Sequence, residues 1–151
     1  MLRDDLIERM IRQLAQALDR ILGLRRRRRL DEADEEVTLA MARLGRIDPA
    51  LLDAGDVAML AALAREPDQL LVLARLSAER AEIRAEGGRD AEAARWRRKA
   101  VELWLEAVLA GAALDAHARQ WVGAFVAAGE ALSPRHAQAA GDLGLRGAGG
   151  A

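Results

Sequence analysis

The chain predicts an all-α fold of about seven or eight helices, a bundle of antiparallel hairpins, and three observations carry the helical part of that expectation. Apolar residues recur every three or four positions over most of its 151 residues. No stretch of five or more alternates apolar with polar residues at β-branched enrichment. Glycine, proline or a capping Asp or Ser stands at most breaks in the pattern.

Taken in order, Leu6, Ile7, Met10, Ile11, Leu14, Leu18, Ile21 and Leu22 predict one long amphipathic helix over residues 4 to 24. After the arginine run, Leu30, Ala33, Val37, Ala40, Met41 and Leu44 keep the period and predict a second helix stopped by Gly45, closing an antiparallel hairpin. Asp48 before Pro49 is a cap followed by proline at the first helical position, where a missing N–H costs nothing. It starts a short helix that Gly55 ends, and Asp56 caps another. Pro67 opens a long helix over residues 67 to 86, with Leu70, Leu73, Ser77 and Ala81 on one face and Gly87 and Gly88 as the stop. From 89 to 110 apolar side chains cover most of the circumference and leave a narrow polar stripe of Arg95, Arg98, Lys99, Glu102 and Glu106, the pattern of a helix buried on several sides. Leu114, Ala118, Trp121, Val122 and Phe125 give a seventh helix ending near Gly129, and Ser133 with Pro134 caps a last short one. Residues 1 to 141 are expected as one domain and the glycine-rich residues 142 to 151 as a flexible tail.

Hydrophobic residues make up 52% of the chain, yet there is one Phe, three Trp and no Tyr, so alanine and leucine must fill the core and the helices must approach closely. The net charge of -1 gives no overall positive field for nucleic acid or anionic lipid. Without cysteine there is no disulfide, thiolate nucleophile or cysteine metal site, which fits a reducing compartment. The opening MLRDDLIERMIRQL has acids where a signal peptide needs an apolar run, and no window approaches the roughly 18 apolar residues of a membrane span, so a cytoplasmic location and no membrane association are expected. Lys99 is the one lysine among 23 basic residues, a bias that makes an individual arginine weak evidence of function.

Ala33, Val37 and Ala40 stand in the small, large, small spacing of the second helix of a tetratricopeptide repeat, and Ala93 and Ala100 fit the same positions with Gly88 at the preceding turn. The chain resembles a degenerate relative of that repeat: Arg97 occupies the large apolar position, and the two hairpins lie about 60 residues apart rather than 34. DDLIERMIRQLAQALDRILGL and the later RDAEAARWRRKAVELWLEA also resemble a family of small bacterial proteins of unknown function with such hairpins. The resemblance implies a fold and no active site.

The stretch GLRRRRRLDEADEEV is the obvious candidate for anion binding, since clustered guanidiniums contact phosphates and release counterions. Arg25, Arg26, Arg27, Arg28 and Arg29 are nevertheless followed by Asp31, Glu32, Asp34, Glu35 and Glu36, and no aromatic residue lies among them to stack on a base. A turn inside the run would put the first arginines at the carbonyl end of one helix and the acids in the first turns of the next, favourable to both dipoles. Arg27 with Asp31 and Arg28 with Glu32 have the spacing for pairs along the helix. His117 and His136 read as separate solvated histidines rather than metal ligands, and Thr38, Ser77 and Ser133 lack a histidine at fixed local spacing, so no catalytic group, metal or cofactor is expected. Trp104 and Trp121 fall on apolar faces and belong to the core, whereas Trp96, beside Arg97 and Arg98, is the expected surface anchor for a partner. The function expected is a non-catalytic interaction module, with protein or self as partner, or a homo-oligomer such as a homodimer. Nucleic-acid or phosphate binding through Arg25 to Arg29 is the alternative.

Overall fold

The computed structural model describes residues 2–145. Among them are eight helices and no strand: α1 (Leu2–Arg26), α2 (Leu30–Arg43), α3 (Pro49–Ala54), α4 (Val57–Leu63), α5 (Pro67–Glu86), α6 (Asp90–Leu109), α7 (Ala116–Ala127) and α8 (Pro134–Asp142). None of these helices is long and apolar enough to cross a membrane.

The hairpin of α5 and α6 forms the centre, and the other helices pack around it. The α1–α2 hairpin lies against α5, α4 against α6, and α7 and α8 against the remaining face of α6. Alanines carry much of this packing: Ala74, Ala78 and Ala81 of α5 and Ala93, Ala100 and Ala107 of α6 are all buried, and their small side chains let helix axes approach. Leu73, Leu76, Val101, Leu103 and Leu105 fill the space between. As its nearly continuous apolar circumference requires, α6 is buried on several sides, so part of its expected polar stripe is internal: Glu106 is buried and Lys99 half-buried.

Caps begin the helices where the sequence places them. Asp48, Asp56 and Ser133 accept from the backbone N–H of Ala50, Met59 and His136, each satisfying a donor that the first helical turn leaves unpaired. Asp115, which the sequence pattern did not single out as a cap, does the same for α7 through Ala118 N–H at 2.8 Å. The two long hairpins turn identically. Arg29 N–H bonds Leu24 C=O at 2.9 Å and Arg89 N–H bonds Arg84 C=O at 2.8 Å, each closing a six-residue C-terminal loop around a left-handed residue. That residue is Gly88 in one hairpin (φ 76°) and Arg28 in the other (φ 61°).

Several expectations need correction. The first helix runs two residues further at each end than its apolar pattern, because the polar ends still form backbone bonds. Gly45 lies beyond α2, which stops at Arg43; a side chain there would press into Leu73 and the Met41 carbonyl, so close approach explains the glycine. Residues 142 to 145 are not a loose tail, since Leu145 packs against the core and Arg119 donates to the Leu143 carbonyl at 3.0 Å. The rest of the expected tail, 146 to 151, lies outside the described residues.

Candidate functional site

The turn falls inside the arginine run, and the five guanidiniums do not share a face. Arg25, the last inward position of α1, points across to α5, where Nη1 donates to Glu79 at 2.8 Å and Nε to Glu86 at 3.0 Å, with Glu82 at 3.7 Å. Burial pulls its pKa down, but Glu86, Glu79 and Glu82 together outweigh burial and hold it above the ordinary arginine value. Arg28 reaches the Glu86 carbonyl at 3.3 Å, and Arg29 pairs with Glu32 at 2.9 Å. The pairs that the spacing of Arg27 with Asp31 and of Arg28 with Glu32 allows do not form. Arg26 and Arg27 are exposed and have no ion pair among the described residues.

Two of the acids that follow are likewise spent on distant partners. Asp34 accepts from Arg80 Nε and Arg84 Nη2, each at 2.8 Å, and Glu36 from Arg20 at 3.4 Å. Arg80 is 5% exposed; it also bonds Thr38 Oγ1 and the Asp34 carbonyl and lies 4.9 Å from the centre of the Trp96 ring. The corner is therefore a seam of internal charge pairs that fastens the α1–α2 hairpin to α5.

Trp96 is not a surface anchor. It is 1% exposed, and Arg80, Lys99 and Arg95 surround its ring at 4.9, 5.0 and 5.5 Å. Helical phase puts its indole on the side facing α5, while Arg97, one residue on, faces outward. Lys99 lies across the same ring and donates to the carbonyls of Leu52 and Asp53, the unpaired C-terminal end of α3. Burial first, then neighbouring Arg95, lower its pKa against the opposing pull of Asp53 and Glu102.

The other two expected contact residues, Arg97 and Arg98, line a groove of about 800 Å³ between the first half of α6 and α7. Its floor is Trp121 and Phe125 and its rim is Arg95, Arg97 and Arg98, with Glu82 and Glu130 at the edges. The small side chains of Ala94, Ala124 and Ala128 leave the space open. Arg98 is held over Phe125 at 5.2 Å by the Ala131 carbonyl at 2.8 Å and Glu130 at 3.3 Å. Arg95 is drawn to Asp53 at 2.9 Å, whereas Arg97 is exposed and has no ion pair among the described residues. Comparison with protein-family models, curated proteins and solved structures finds no match. The groove therefore has to be read from its own chemistry: an apolar aromatic floor with a rim that favours anions, one guanidinium of which is unengaged.

His136 is not solvated, and His117 only in part. His136, on α8, is buried against α6, with Nε2 2.8 Å from the buried carboxylate of Glu106, which also accepts from Arg135 at 2.6 Å. His117 sits between Trp104 and Trp121, its ring centre 6.1 and 6.2 Å from theirs. Burial, and secondarily Arg75, lower its pKa against Asp115 and Glu82. The two histidines belong to separate clusters, and no group of three metal-ligating side chains occurs among the described residues. Phe125 is in the core, as its place on the apolar face of α7 implies, while Trp121, expected there too, is only half-buried. Their spacing of four gave the helix face but not that a groove borders it.

Proposed function

We propose that the protein is a non-catalytic helical interaction module of the cytoplasm that holds a short acidic, partly apolar segment of a partner protein in the α6–α7 groove. The observation that carries this reading is the aromatic floor of half-buried Trp121 and buried Phe125 beneath Arg97, an exposed cation without an ion pair among the described residues. Aromatic and arginine side chains together are the usual composition of an interface anchor. A peptide carboxylate at Arg97 and an aliphatic side chain on Trp121 would satisfy both halves of the groove at once. The likeness of the hairpins to tetratricopeptide repeats supports the same reading.

The test is a fluorescence-anisotropy titration with a labelled decapeptide of alternating Glu and Leu. Saturable binding is expected, weakened about tenfold by Arg97→Glu, since losing one charge-assisted bond and gaining a repulsion exceeds 1.4 kcal/mol. Arg26→Glu with Arg27→Glu should leave it unchanged. Equal binding by the Arg97 variant would overturn the assignment to this groove.

A further inference from the structure

A second surface lies on α1, an edge helix that contacts α2 and α5. Ile7, Ile11, Leu18 and Leu22 follow one another at spacings of four, seven and four and so form one stripe along the helix. This stripe is not the buried one, which runs through Ala17 and Ile21. Ile11 is 58% exposed and Leu22 37%, Ile7 and Leu18 are half-buried, and the exposed Ala15 at the middle removes bulk where another helix would cross. A stripe of this kind on a helix is normally covered.

One edge of the stripe carries Asp4, Glu8, Arg12, Asp19 and Arg26, two acids followed by base, acid and base. All five are exposed and none has an ion pair among the described residues. Laid parallel on itself the edge sets like charge against like. Laid antiparallel it sets Asp4 against Arg26 and Arg12 against Asp19 and leaves Glu8 beside Leu22, while Ile7 meets Leu22 and Ile11 meets Leu18.

We infer that a second copy of this chain covers the stripe, the two α1 helices lying antiparallel about a two-fold axis near Ala15. Such an axis uses each contact twice and closes the assembly at two copies. Apolar stripe, small central residue and inverted charge order all refer to the same axis, and the arrangement gives Arg26, unpaired at the corner, a partner. It is independent of the groove between α6 and α7, which is lined by residues of other helices. A single helix pair is a small interface, so the dimer is expected to dissociate in the micromolar range.

Sedimentation velocity over a concentration series tests this. Wild type should shift from monomer to dimer with rising concentration. Arg12→Glu with Arg26→Glu makes the edge wholly acidic, and Asp4→Arg with Glu8→Arg and Asp19→Arg makes it wholly basic. Both exchange only exposed side chains, so each should keep the wild-type circular dichroism and melt while losing the dimer. An equimolar mixture of the two should associate at least as tightly as wild type. A wild type that stays monomeric throughout would overturn the inference, as would dimers undiminished in both charge variants or a mixture that does not associate. Self-association abolished by Arg97→Glu would instead assign the contact to the groove. Capture by vesicles of phosphatidylserine without self-association would assign the stripe to a membrane surface. Either result sinks the antiparallel pairing.

Discussion

Replacing Asp34 by alanine removes one carboxylate from the surface of α2 and should cost about 3 kcal/mol, far more than its position in an acidic run suggests. The side chain is 24% exposed and accepts from Arg80 and Arg84, each at 2.8 Å, while the Arg80 side chain is only 6% exposed. Without Asp34 the Arg80 charge stays inside the molecule with Thr38, the Asp34 carbonyl and the Trp96 ring as its remaining company. Breaking such a pair from one side costs about 3–5 kcal/mol, and these residual contacts put the loss at the lower end. For a chain of this size each kcal/mol lowers the melting temperature by about 2–4 °C, so a fall of about 6–12 °C is expected. Urea unfolding followed by circular dichroism gives the free energy directly. Adding Arg80→Met to Asp34→Ala should recover much of the loss, because the stranded charge goes with its partner. A cost below about 1 kcal/mol, the range of an exposed ion pair, would refute the seam as a support of the fold.

Two further predictions concern a turn and a titration. Arg28→Gly should stabilise by about 0.5–1 kcal/mol, since an arginine in the left-handed region is strained and its exposed link to Glu86 is worth little; Gly88→Ala at the matching position should destabilise by about 1 kcal/mol, and paired urea midpoints check both. For His117 the folded pKa lies below the ordinary 6.5, so the unfolded chain takes up the proton first as pH falls. Its contribution is whole above about pH 6.5 and lost as pH drops through the folded value, and the difference between wild type and His117→Gln in urea midpoint should shrink between about pH 7.5 and 5.5.

The helices were legible because their signals are local. Asp48, Asp56, Ser133 and Pro67 mark starts by groups within three residues, and the three-and-four spacing needs no knowledge of what covers it. The corner was legible only in part. The sequence set the arginines against the acids that follow them, but the partners of Arg25 lie 54 and 61 residues away on α5, and local charge counting cannot see them. Trp96 misled for a similar reason: its arginine neighbours look like solvent, yet Arg95 and Lys99 close over the ring and Arg80 reaches it from another helix. The groove is lined by residues of α5, α6 and α7 together, a property of tertiary packing that no single helix carries.

Amide chemical-shift mapping of the isotope-labelled protein against the Glu-Leu decapeptide tests the proposed function most directly. The account predicts shifts at Arg97, Arg98, Ala124 and the Trp121 indole, with residues 24 to 32 unmoved. Shifts concentrated at Arg26 and Arg27, with the groove silent, would contradict it.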